Sequence, residues 1–305
     1  MSGKHAYLIM AHNEFDILEK LLNLLDDTRN DFYVHIDKKA KNVDLCRLEQ
    51  AVRHSSLYYI KRTDNRWGHY SLVQCELNLL KAASKGNYRY YHLLSGVDLP
   101  LKTNDEIHDF FDRHNGCEFI HYHAEEADEF IQGRVKHYHA MKYFQTGNKY
   151  VSFLGRNLDF LLENLQGRFG FEKKWDETVT LQSGSQWFSI THDMAAYFIS
   201  KEPWIKRYFR FASVPDEMVL QTVAFNSPFK DNLYQKERNG SYFASVRCID
   251  WQRGDPYTFR KEDFEELIHS ECLFARKFST KIDREIIEKI FSYLSDKANG
   301  KDNHA

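Results

Sequence analysis

Four short apolar runs constrain this chain most. They are Ala6-Tyr-Leu-Ile-Met10, Phe32-Tyr-Val-His-Ile36, Ser56-Leu-Tyr-Tyr-Ile60 and Tyr90-Tyr-His-Leu-Leu94. Each is rich in aromatic or β-branched residues and is bounded by polar turns, which predicts strands. A helical pattern from Phe15 to Leu25 follows the first run. A second, Ser71 to Ser84, carries Leu72, Cys75, Leu79 and Leu80 on one face. Strands alternating with helices predict an α/β fold. In open α/β sheets ligands bind beyond the carboxyl ends of the strands. Those ends are Ala11-His12-Asn13, Asp37-Lys38-Lys39 and Ser95-Gly96-Val97-Asp98. No Gly-rich dinucleotide or P-loop pattern follows any run, so those nucleotide folds are disfavoured.

The chain has 305 residues and a net charge of -2, too near neutral for nucleic acid as the main partner. Five scattered cysteines without a C-x-x-C pair read as reduced, mostly buried thiols. With no signal-peptide pattern and no apolar run of membrane-spanning length, the expectation is a cytoplasmic protein, with peripheral association at the inner membrane face as an extension. One domain over residues 1–298 and a disordered tail at 299–305 are expected.

Thr103 and Glu106 have the spacing of a capping box. Pro100 is read as ending the strand region and fixing a turn, and Gly96 as letting a ligand approach the backbone. His121, His123, His137 and His139 form two H-x-H pairs, read as exposed rather than as a zinc site. Arg134 and Lys136 are candidates for an acceptor groove. Residues 152–175 read as a helical insertion. A strand over Ala244–Ile249 leads to Trp251, read either as a sugar-stacking platform or as a half-buried core residue. A last helix runs from Asp283 to Leu294.

The richest stretch is Leu181 to Val223. Ser183-Gly184-Ser185 is a small-residue turn before a strand, Trp187–Ile190, and a helix from about Asp193. Val214-Pro215-Asp216-Glu217 then opens a second helical pattern. Acidic residues in a first helical turn are stabilised by the helix dipole. One lining a cleft can take a proton. For Asp216 and Glu217 the alternative is that they are helix charges only. For Asp98 it is a turn aspartate bonded to its own backbone.

Seven segments together resemble glycosyltransferase family 14, the core-2/I-branching β-1,6-N-acetylglucosaminyltransferases and peptide O-xylosyltransferases. They are AYLIMAHNE (6–14), FYVHIDKKA (32–40), YHLLSGVDLPLKTNDEI (91–107), SGSQWFSIT (183–191), VPDE (214–217), RCIDW (247–251) and LFARKF (273–278). The resemblance implies a GT-A type fold with a Rossmann-like mixed sheet, a UDP-sugar donor and inversion at the anomeric carbon. It implies transfer of a sugar, GlcNAc or xylose by precedent, to a glycan or lipid-linked glycan in polysaccharide biosynthesis. The family's catalytic base falls on Glu217, although Val214 replaces the family's serine before the proline. Its diphosphate lysine falls on Lys277, with Arg260, then Arg253, as the assisting arginine. Trp251, with Asp98 and Arg134, would bind acceptor. Ala11, His12 and Asp37 would form the uridine pocket. No Asp-x-Asp occurs in the chain, so no metal or other cofactor is expected. A non-catalytic binding relative, and a metal enzyme using Asp37 and Asp98, are the alternatives.

Overall fold

The computed structural model describes residues 3–123, 129–139, 153, 157–158, 161–162, 164–166, 168–234 and 242–300. The expected runs become strands β1 (His5–Ala11), β2 (Asn30–Ile36), β3 (Ser56–Tyr59) and β4 (Tyr90–Ser95). Helix α1 (Phe15–Leu24) follows β1. Helix α2 (Leu45–Gln50) lies between β2 and β3, and α3 (Ser71–Ala83) between β3 and β4. Every residue of β1, β2 and β4 is buried. That explains their continuous apolar character, because strands covered on both faces do not alternate.

Short strand β5 (Leu99–Pro100), helix α4 (Asn104–Arg113), β6 (Phe119–Ile120), helix α5 (Glu129–Lys136) and β7 (Phe188–Thr191) come next. The main sheet has the order β3-β2-β1-β4-β7-β6. Its first four strands are parallel, while β7 pairs antiparallel with β4 and β6 with β7. One apolar cluster covers one face, under α1 and the C-terminal helix. Another covers the other face, under α3 and the helices that follow β7. The Rossmann-like mixed sheet flanked by helices is thus what the chain builds.

Helices α6 (His192–Ser200), α7 (Glu202–Phe209) and α8 (Val219–Phe225) follow β7. Then come β8 (Arg247–Ile249), α9 (Phe264–His269), β9 (Phe274–Arg276) and α10 (Arg284–Ala298). Strands β5, β9 and β8 form a second, three-stranded sheet. Arg247 joins the two sheets. Its fully buried guanidinium donates to the carbonyls of Leu93 and Phe188 and to Ser189 Oγ.

Several local expectations change. Pro100 is a strand residue: it lies opposite Phe274 in β5, a two-residue edge strand where a missing N–H is tolerated. Gly96 admits not a ligand but β1, since a Cβ there would lie 2.9 Å from the Ala11 Cβ. Residues Tyr242–Ser245 form a 3-10 turn, so the strand begins only at Arg247. His121 and His139 are buried rather than exposed; His121 Nδ1 accepts the Ser185 N–H at 2.9 Å. The Thr103–Glu106 capping box forms as read. All five cysteines are free, with Cys46 exposed. Much of the 152–175 insertion, and 301–305 of the tail, lie outside the described residues. Among the described residues no helix is long and apolar enough to cross a membrane.

The core holds an unusual trio. His5 stacks on His108 at 4.1 Å between ring centres, and His5 Nδ1 lies 3.1 Å from His92 Nε2. Burial pushes all three imidazoles down, His108 to about 4. Unfolded histidines titrate near 6.5, so below that pH the unfolded chain binds protons that the folded core refuses. The stability these groups contribute is therefore present above about pH 6.5 and lost as pH falls towards 4. The stability gap between wild type and His108→Gln is expected to shrink by roughly 1.4 kcal/mol per pH unit across that window. Urea midpoints at pH 7 and pH 5 measure it; a gap independent of pH contradicts the account.

Candidate functional site

Strand succession reverses at β1, with β2 on one side and β4 on the other. Such a switch point leaves a crevice beyond the strand ends. A cavity of about 310 Å³ occupies it. Ala11 and His12 line it from the end of β1, Asp37 from the end of β2, and Ser95 from β4. Lys39, Gln186, Trp187 and Arg276 line it too, as does Trp67, which is 82% exposed.

Asp37 is buried, and its carboxylate holds two loops together. Oδ1 accepts the Lys39 N–H at 2.8 Å, and Oδ2 the Asn65 N–H at 2.9 Å. Lys39 Nζ reaches Asp64 at 2.7 Å and lies 3.8 Å from Asp37. Burial pushes the His12 imidazole below its ordinary range, and Arg276 acts in the same direction against the opposing pull of Asp37.

Arg276 is, with Lys39, one of two cationic side chains that line the cavity. Strand β9 brings it there: Leu99 pairs with Ala275, which sets Arg276 beside Asp98. Arg276 Nη1 donates to Asp98 Oδ1 at 2.9 Å, and the guanidinium lies 4.3 Å over the Trp187 ring. Asp98 is 1% exposed. Its other oxygen accepts the Ser95 N–H at 2.8 Å. Burial pushes the Asp98 carboxyl above the usual carboxylate range, and Arg276 and the Ser95 N–H oppose that rise. Asp98, expected at the acceptor, thus sits behind the wall and aims Arg276. Nothing singled out Arg276 in the sequence except its place before Lys277, because its partners come from distant strands.

Lys277 is half-buried and follows directly, but it is not among the residues lining the cavity. Its carbonyl accepts the Phe259 N–H at 3.0 Å, so Arg260 lies next to it in the chain fold. Arg260 is exposed and does not line the cavity either. Arg253 is taken up by Asp250 and by Asp263 at 2.6 Å. Glu14 secures the segment after Lys277. Its carboxylate accepts from Ser279 Oγ at 2.7 Å and Thr280 Oγ1 at 2.6 Å.

Glu217 does not line the cavity, but its turn is bonded to segments that carry the lining residues Trp67 and Gln186. Pro215–Glu217 is a 3-10 turn rather than the start of a regular helix. Val214 before it has φ 48°, a left-handed conformation that is strained for a β-branched residue. Its N–H donates to the Gly68 carbonyl at 2.9 Å, tying the turn to the loop that carries Trp67. Gly184 N–H donates to the Glu217 carbonyl at 2.8 Å. A Cβ at Gly184 would lie 2.1 Å from the His121 carbonyl oxygen, so only glycine fits. Arg134, expected at the acceptor, clamps the same turn. It donates to the Ser213 and Val214 carbonyls and to Glu217 Oε2 at 3.0 Å. The Glu217 side chain is 39% exposed. No described residue donates to its Oε1. Trp251, two residues past the pairing of Ile249 with Arg276, is 42% exposed.

Among the described residues no three His, Cys, Asp or Glu side chains gather as a metal site. Asp37 faces two backbone N–H groups and Asp98 faces a guanidinium, where ligands to a metal ion would converge on one point.

The model of the Core-2/I-Branching enzyme family matches residues 5–270. Xylosyltransferase 2 of Rattus norvegicus is 23% identical over 310 residues, covering 95% of this chain and 33% of that protein. Xylosyltransferase 1 of Rattus norvegicus is 22% identical over 311 residues, covering 95% of this chain and 35% of that protein. This chain therefore spans about a third of the length of the curated relatives it matches. Among solved structures, mouse xyloside xylosyltransferase 1 in its apo form aligns with a TM-score of 0.37 at 10% identity, covering 89% of this chain and 96% of that one.

Proposed function

The chain belongs to the core-2/I-branching enzyme family, and from that premise we propose that it is an inverting glycosyltransferase. It would move a sugar, GlcNAc or xylose, from a UDP-sugar to a hydroxyl of a glycan or lipid-linked glycan, without a metal ion. The observation carrying this reading is the pairing of a cavity at the β1/β4 switch point, with Arg276 on its wall, and a carboxylate turn bonded to Gly68, next in the chain to the lining Trp67, and to Gly184, two residues before the lining Gln186.

In this reading Ala11, His12 and Asp37 take the nucleoside end. Arg276, with Lys277 beside it, faces the diphosphate. Glu217 Oε1 takes the proton from the acceptor hydroxyl as that oxygen attacks the anomeric carbon. The bond from that carbon to the diphosphate breaks, and its electron pair leaves on UDP. One displacement inverts the configuration. The charge developing on the leaving oxygen needs preorganised positive groups. A guanidinium held by Asp98 and Trp187 is already in place before the reaction. Arg134 holds one oxygen of Glu217 and leaves the other for the proton. Trp251 would carry an acceptor sugar on its exposed face.

The alternatives stay testable beside this one. A metal enzyme using Asp37 and Asp98 is the weaker reading, because both carboxylates already have partners. A non-catalytic binding relative has no use for the open Glu217 oxygen. Incubation with UDP-xylose, UDP-GlcNAc, UDP-glucose and UDP-galactose, reading UDP release and the product anomer by NMR, tests the proposal. UDP release with an inverted anomer is expected; binding without turnover of any donor would overturn it.

A further inference from the structure

Behind the cavity wall, α3 presents a carboxyl group to the protein interior. Glu76 is 2% exposed, and no basic side chain bonds to it. Its partner is Gln186, whose Nε2 donates to Glu76 Oε1 at 2.5 Å and lies 3.8 Å from Met10 Sδ. Gln186 lines the cavity. No described residue donates to its side-chain oxygen, and that oxygen is not sealed from solvent. An amide has one donor end and one acceptor end, and the two ends point apart. With the donor end held by Glu76, the acceptor end is turned to the cavity.

We propose that Gln186 is a specificity-determining residue, whose carbonyl accepts a hydrogen bond from a hydroxyl of the transferred sugar, and that Glu76 is the positioning residue that fixes its orientation. This rests on the glycosyltransferase reading above and names the part of the donor that the cavity wall inspects. Gln186 lies along the chain between Gly184, bonded to Glu217, and Trp187, stacked under Arg276. A sugar joined to a diphosphate at Arg276 and attacked beside Glu217 has to pass it. Burial and the nearby Asp216 carboxyl both favour a neutral Glu76. A neutral carboxyl still accepts the amide N–H through its carbonyl oxygen, so the orientation of Gln186 does not depend on a buried negative charge. A neutral amide facing a sugar hydroxyl reads its position without adding charge beside Glu217. A site built to pair one hydroxyl rejects the epimer that lacks it there, because the paired group is left unsatisfied.

The test compares wild type, Gln186→Leu and Glu76→Gln by acceptor-free hydrolysis of epimeric donors: UDP-glucose against UDP-galactose, and UDP-GlcNAc against UDP-GalNAc. The readout is the ratio of kcat/KM within each pair, with the Kd for free UDP measured alongside. Gln186→Leu is expected to lower the wild-type preference roughly tenfold, the scale of one hydrogen bond, with UDP affinity within about twofold. Glu76→Gln keeps a polar partner of the same size but replaces the carboxyl with an amide whose NH2 can face Gln186 instead of an acceptor oxygen, so a smaller loss of the same preference is expected; it also serves if Gln186→Leu does not fold. Unchanged ratios in a folded variant overturn the assignment, as does a loss of UDP affinity equal to the loss of activity. A wild type that binds UDP but hydrolyses no donor overturns the transferase reading itself, a separate and recognisable result.

Discussion

Glu217→Gln is expected to lower the transfer rate by roughly 10²-fold or more, the usual contribution of a positioned base. The substitution keeps size and one acceptor oxygen, so the Arg134 bond to that side chain can persist. It removes the capacity to take a proton at the other position. UDP affinity is expected to be nearly unchanged, because Glu217 does not line the cavity. Steady-state transfer and UDP titration on the same preparation separate the two effects. Near-normal transfer by Glu217→Gln would remove Glu217 from the mechanism. Asp216→Asn would then be the next variant, since Asp216 is the buried neighbour on the same turn.

The second large effect concerns the leaving group. Transfer is expected to persist in excess EDTA, while Arg276→Ala and Lys277→Ala each lose roughly 2–4 kcal/mol of transition-state stabilisation, the scale for removing one electrostatic donor. Arg276→Ala is expected to be the more damaging. Its guanidinium lines the cavity, whereas Lys277 does not, and its loss leaves the Asp98 carboxyl buried without its cation. Arg276→Lys keeps charge but loses the planar contact with Trp187, so partial recovery is expected. Lys277→Arg is likewise expected to recover part of the loss. Initial velocities of these proteins with and without EDTA decide the matter. Abolition by EDTA with rescue by Mn²⁺ would overturn the cationic mechanism and return Asp37 and Asp98 to consideration as ligands.

The centre of the sheet was legible because β1, β2 and β4 are buried on both faces. Such strands must be written as short unbroken apolar runs, and helices between them must carry one apolar stripe; both patterns are local. Where a residue's role depends on a distant partner, the same reading went astray. Pro100 reads as a turn until Phe274 pairs beside it. Gly96 reads as a place for a ligand until the end of β1 packs against it. His121 reads as exposed until the Ser183–Ser185 turn closes over it.

The candidate site divides along the same line. The chain alone determined the strand ends that bear Ala11, His12 and Asp37, and the carboxylate of the Val-Pro-Asp-Glu turn, because a strand end and a proline turn are properties of neighbouring residues. Only the tertiary structure brought Arg276 to the cavity beside Lys39. Arg276 meets Asp98 across 178 residues, through a second sheet too short to announce itself, while Arg253 is taken up by Asp250 and Asp263 and Arg260 stays exposed outside the cavity. Likewise Arg134 becomes a clamp on Glu217, and Gln186 an oriented amide, through contacts 83 and 110 residues apart in the chain. A side chain's chemistry is written in its own residue, but the direction it faces is set by what packs behind it.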